Sequence, residues 1–148
     1  MASLIRFGLI LAALLLHFSV KAEDRFVVHF VSYHFDSAKD WNEVNPGFGF
    51  QRRKGDSFWQ VGVFHNSIRR ETVYAVYGKE PYRIGSVHFG GVIGLGTGYN
   101  SKVVPIPALT ARIDLGQLNL HMIATPTVRR DGYYYNHGAL GFLASHRF

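Results

Sequence analysis

The chain contains no cysteine, which excludes disulfides and thiolate chemistry. Its eight histidines are scattered and lack an ordered ligand set with acidic partners, so neither a metal nor a cofactor is expected. Beyond residue 22 there is no long apolar run, and no transmembrane helix is expected there. Acid is scarce: 10 Asp and Glu stand against 16 Lys and Arg, a formal charge of +6.

The single apolar run, residues 9–16, follows Arg6 and precedes Val20-Lys21-Ala22. A basic start, a short apolar middle and small or apolar residues at the cleavage positions predict a secretory signal peptide over 1–22, cut after Ala22. The remaining domain is 23–148. Export, and not the charge, argues against nucleic acid as a partner of this positively charged chain. The charge points towards anionic lipid headgroups, which need basic residues at a membrane edge.

What is abundant is glycine (16 residues) and aromatic side chains (15%). They fall in short alternating segments, which predict an all-β fold. About eight strands are read, near 25–35, 46–53, 57–65, 71–78, 84–97, 108–115, 117–125 and 138–148. Eight is the minimum for a membrane barrel, and an aromatic last residue, Phe148, is characteristic of outer-membrane barrels. The expectation is an eight-stranded antiparallel transmembrane β-barrel in the bacterial outer membrane, acting as a monomer. A soluble β-sandwich is the bland alternative. With both ends of the domain periplasmic, turns at 54–56, 81–83 and 116–117 face inward. Loops at 36–45, 66–70, 98–103 and 127–134 then face outward.

Two features exceed a plain barrel. Segments such as 58–64 and 92–95 read as apolar on both faces, which predicts either a packed interior or a bore that could hold an acyl chain. Prolines also gather at outer strand ends: Pro46, Pro105, Pro107 and Pro126. Proline donates no backbone hydrogen bond, so opposed prolines would weaken pairing and open a lateral slot for lipid. Ordinary loop-boundary proline is the competing reading.

His34, Asn66 and Ser67 all fall at outer ends in this topology. A histidine can take a proton from a hydroxyl, of serine or of substrate, and an amide can orient the ring or donate to a developing oxyanion. By themselves these residues are a weak signal.

Several blocks, in order, resemble the outer-membrane lipid A palmitoyltransferase family. Tyr33-His34 resembles its aromatic-His block, and Trp41-Asn42-Glu43 with Pro46 to Phe50 resembles its Tyr-Asn-Glu and Gly-rich second strand. Phe64-His65-Asn66-Ser67 resembles its Phe-Lys-Asp-Ser, and Val104-Pro105-Ile106-Pro107-Ala108-Leu109 its Ile-Pro-Leu-Pro-Val-Leu. The resemblance implies an acyltransferase that moves a palmitoyl-like chain from a glycerophospholipid to lipid A of lipopolysaccharide. His34, Asn66 and Ser67 would be catalytic. The basic residues Arg69, Arg70, Lys102, Arg129 and Arg130, on outer loops, would hold the lipid A phosphates.

Three departures stand out. Asn66 occupies the place of the family's catalytic aspartate, with Asp36, Asp40, Glu43 or Glu71 as compensating carboxylates. The resemblance therefore implies that Asn66→Asp retains or raises activity. The first outer loop is shorter, and Glu23-Asp24 leads almost directly into Phe26, leaving no room for the family's amphipathic helix. Two other readings stay open: an outer-membrane lipase or lipid A deacylase, and a non-catalytic structural or lipid-binding barrel.

Overall fold

The computed structural model describes residues 21–130 and 133–148, with side chains described outside 128–136. The apolar run of the expected signal peptide lies outside the described residues. The strands are β1 (Glu23–His34), β2 (Val44–Lys54), β3 (Ser57–His65), β4 (Glu71–Ile84), β5 (Val87–Gly96), the two-residue β6 (Val104–Pro105), β7 (Ala108–Leu115), β8 (Leu118–Arg130) and β9 (Tyr133–Arg147). All neighbours are antiparallel. β1 pairs with both β2 and β9, and β4 with β5, so the sheet closes on itself. The short β6 continues the line of β7, giving a closed barrel of eight strands, as the alternation predicts.

One end of the barrel carries tight turns at 55–56, 85–86 and 116–117; we call it the inner end. The expected inner turn at 81–83 is displaced. β4 runs on to Ile84, and Pro81 is absorbed at a register shift between Lys79 and Tyr82. A bulge tolerates the missing N–H, so proline there does not end the strand. The turn falls instead on Gly85, whose φ of 59° is open to glycine at little cost. The expected outer loop at 127–134 is also corrected. Val128, Arg129 and Arg130 pair with Asn136, Tyr134 and Tyr133, so β8 and β9 form a long ribbon. Strand-favouring tyrosines opposite long basic residues suit a ladder better than a loop.

The faces are inverted relative to a water-soluble barrel. Phe26, Phe48, Val73, Ile93, Leu109 and Leu120 are among many large apolar residues exposed on the outside. The lumen holds Arg25, Gln51, Arg53, Gln60, Glu80, Arg112, Asn119 and His121, all buried. Of the two readings of the interior, packing is what the described residues show: Phe58, Val92 and Ala108 cluster, and the Phe64 ring packs on His29, between these polar groups. The pattern of strict alternation with apolar side chains outward fits an outer-membrane barrel.

Glu80 organises the inner half of the lumen. Its Oε2 accepts from Arg112 Nε at 2.8 Å and lies 3.0 Å from Arg53 Nη1, within ion-pair range. Arg53 also stacks over the Phe58 ring at 4.6 Å. At mid-height, Gln51 donates to Gln60 (2.9 Å) and Gln60 to the Tyr74 hydroxyl (2.6 Å). His29 Nε2 meets the same hydroxyl at 2.8 Å. These bonds tie β1 to β4 across the lumen.

Replacing Glu80 by alanine leaves two guanidinium groups buried without their shared counter-charge. We expect a loss of about 3–5 kcal/mol in stability. Urea unfolding of the refolded barrel measures it, and an unshifted transition would contradict the assigned role.

Candidate functional site at the outer rim

The first outer connection, residues 35–43, is held down from both sides. The Ser32 N–H donates to the Glu43 carbonyl at 2.9 Å, and the Ser32 hydroxyl meets Asn45 Oδ1 at 2.5 Å. The buried Asn45 amide then donates to the Asn42 and His65 carbonyls at 3.1 and 3.0 Å. Asn42 reaches the second connection: its N–H donates to the Ser67 carbonyl (2.9 Å) and its amide to the Asn66 carbonyl (3.1 Å). Loop closure is costly in chain entropy, and these side-chain bonds to backbone offset it locally.

His34 ends β1 on the lumen-facing parity, with a side chain only 9% exposed. Its ring stacks on Trp41 at 4.7 Å and 15°. Glu43 Oε1 accepts from the His34 backbone N–H at 3.1 Å and lies 4.0 Å from Nδ1, near but beyond hydrogen-bond range. Burial against Trp41 holds the imidazole below its usual value; Glu43 opposes this and His137 adds to it. The ring is thus kept in its neutral form, the form that accepts a proton.

Asn66 is fully buried and its amide is fully used. Nδ2 donates to Thr72 Oγ1 and to the Gly98 carbonyl, both at 3.0 Å. Oδ1 accepts from the Ile68 and Arg70 N–H groups at 3.0 and 2.9 Å. Asn66 therefore fastens the 66–70 turn to the strands beside it. His34, Asn66 and Ser67 are not joined by direct side-chain bonds among the described residues. They are gathered through the adjacent pair Asn42 and Glu43.

Of the carboxylates weighed as substitutes, each finds a different place. Glu43 stands beside His34. Asp40 pairs with Arg69 at 2.8 Å, across the two loops. Glu71 sits exposed at the start of β4. Asp36 meets His137 Nδ1 at 2.8 Å. Sequence reasoning missed His137, as well as Asn42, Asn45 and Thr72 as anchors; the signal for His137 was its lumen-facing parity near the outer end of the last strand.

The basic residues divide. Arg69 is committed to Asp40, and it adopts a left-handed φ of 61°. Arg70 and Lys102 are exposed on their loops. Arg129 and Arg130 lie on β8 rather than in a loop, and their side chains lie outside the described residues.

The prolines form a definite feature. β7 pairs with β8 outward as far as Leu109 opposite Ala124. Continuing that register brings Pro107 opposite Pro126, and neither can donate across the gap. Pro105 lies on β6, which pairs with β5 alone among the described strands. β8 continues outward paired to β9. The wall thus loses its ladder between β6 and the outer part of β8. Pro46 sits at a second irregularity, where the β1–β2 register shifts between His29 and Val31. Comparison with protein-family models and with curated proteins returns no match.

Removing the Asn66 amide frees the turn it fastens. Asn66→Ala should lower stability by about 1–3 kcal/mol and expose 66–70 to limited proteolysis. Asn66→Asp sets a carboxylate oxygen against the Gly98 carbonyl, so it too should loosen the turn, contrary to what the resemblance implies. Protection equal to the unmutated protein in both variants would contradict the anchoring role.

Proposed function

We propose that this chain is an outer-membrane acyltransferase that moves an acyl chain from a glycerophospholipid to a hydroxyl of lipid A. The observation that carries the reading is the combination at one end of the barrel. A neutral, indole-stacked His34 sits at the mouth. The same end of the wall has lost its ladder at Pro107 and Pro126. In a hydrocarbon environment an unpaired backbone is costly, so a gap kept there favours a use, and lateral entry of lipid is that use.

The exterior supports the same reading. An open apolar groove of about 770 Å³, lined by Phe48, Val61, Val73 and Leu95, crosses the outer face over the paired glycines Gly49 and Gly62. Acyl chains would lie against it. Inside, the Gln51–Gln60–Tyr74–His29 chain forms a polar floor at mid-height, so an acyl chain entering the lumen would occupy the outer part only. Arg70 and Lys102 offer charge to lipid A phosphates, by simple attraction at an exposed rim.

His34 touches the reacting ester in this scheme. Ser67, beside the Asn66 anchor, supplies a hydroxyl that attacks or holds the substrate. Asn66 acts by presenting Ser67. A second reading, a non-catalytic lipid-binding barrel, draws on the charged lumen, which shortens the bore available to an acyl chain. A lipid A deacylase would use the same rim with water as acceptor.

His34→Ala and Ser67→Ala should each abolish transfer of a labelled acyl chain from phospholipid to lipid A in detergent, with heat-modifiable gel migration unchanged. Wild-type rates in both variants would overturn this site. Loss of an acyl chain from lipid A would identify a deacylase instead, and no turnover by the unmutated protein would leave the lipid-binding barrel.

A further inference from the structure

The apolar exterior carries a separate recess near the inner end. Lys79 of β4, Gly91 of β5 and Leu109 of β7 stand in one cross-strand row. Directly paired residues share a face, and Lys79 and Leu109 are exposed on the exterior. Gly91 leaves the middle of that row bare. A Cβ there would meet only the Ala108 carbonyl oxygen, at 3.4 Å. Towards the inner end, the bulge sets Glu80 and Pro81 against Gly90 alone. The next row, Tyr82 and Phe89, closes that side. The result is an open recess of about 590 Å³ with Lys79 as its one cation.

Lys79 lies at the depth of the inner rim. It pairs with Ser57, the first residue of β3 after the turn at 55–56. Beside it, the Glu80 N–H donates to the Asp56 carbonyl at 2.8 Å. Tyr82 lies just beyond the bulge, and Trp59 stands two residues along β3 from Ser57; both are exposed on the exterior. A lysine stem lies along apolar wall while its charged end reaches the interface, where tyrosine and tryptophan also gather. Arg52, another exterior cation at this end, is matched: it donates to Asp24 at 2.6 and 2.7 Å. The Lys79 ammonium has no ion pair or hydrogen bond among the described residues. A cation at the edge of hydrocarbon needs a counter-charge, and here the protein supplies none.

We propose that this recess binds one anionic glycerophospholipid of the inner leaflet. Its phosphate meets the Lys79 ammonium, with the Ser57 and Tyr82 hydroxyls on the same exterior face as further donors. One acyl chain lies over Gly91 and runs outward past Ile93 and Leu109, both exposed on the same face. A zwitterionic headgroup brings its own ammonium to the phosphate and competes with Lys79, so the site selects the anionic lipid. The inference rests on the membrane placement of the barrel and not on acyl transfer. It lies at the opposite end of the wall from His34 and the proline gap.

Trp59 is the reporter, because the chain has two tryptophans and Trp41→Phe leaves it alone. The refolded full-length barrel carrying Trp41→Phe is placed in zwitterionic bilayers doped with tail-brominated phosphatidylglycerol or tail-brominated phosphatidylcholine. Quenching of Trp59 should report brominated phosphatidylglycerol about 5-fold enriched over the bulk bilayer, the effect of one lysine at a membrane surface. Brominated phosphatidylcholine should show no enrichment. Lys79→Gln should remove the preference and Lys79→Arg should keep it, both with heat-modifiable gel migration unchanged. Gly91→Leu, which fills the recess, should lower the enrichment. Inorganic phosphate should not displace the lipid; displacement would mean a phosphate site and overturn the assignment to a lipid. Equal quenching by the two lipids, or a preference that survives Lys79→Gln, would also overturn it. Quenching by neither lipid would remove the membrane placement and this site together.

Discussion

A barrel with an apolar exterior must hold itself together from within, and here the lumen does so through Glu80. This one carboxylate meets Arg112 of β7 and Arg53 of β2, each two strands away around the wall. A buried ion pair is weak evidence of net stability, because desolvation offsets most of the attraction. It is stronger evidence of register. Sliding β4 by one residue would turn Glu80 towards the exterior, leaving Arg53 without its carboxylate and Arg112 with Asp114 alone. The tight turns at the inner end are consistent with this, since they leave the facing charges little slack. Arg25 joins the same layer through Glu23, at 2.8 Å.

The outer end follows a different logic. There the contacts are hydrogen bonds between loops, led by Asn42, Asn45 and Asn66, and ring contacts around Trp41. The ladder is continuous at the inner end and is given up at the outer end between β6 and β8. A rigid half thus supports a half in which backbone bonds are traded for side-chain placement. Binding and catalytic groups on loops over a fixed scaffold follow the same division.

The strand order and most turns were legible from alternation and glycine. The segment 57–65 and the turn at Gly116 fall where the pattern puts them. Glu80-Pro81-Tyr82 misled because proline reads as a turn, whereas a bulge can hold it within a strand. The charged stretch before Tyr133 misled because local polarity does not reveal a cross-strand partner. Lumen polarity was hidden for a similar reason. Gln60 is one polar residue among apolar neighbours, and its meaning emerges only when Gln51 and Tyr74 converge on it. At the rim, the strand-end positions of His34, Asn66 and Ser67 were legible. The pairing of Asp36 with His137 was not, because it joins the two ends of the domain through barrel closure.

The most direct measurement is mass spectrometry of lipid A from outer membranes of cells with and without this protein. The account predicts a species heavier by one acyl chain only when the protein is present, together with lysophospholipid as the second product. Identical lipid A in the two samples, with the barrel folded and inserted, would contradict it.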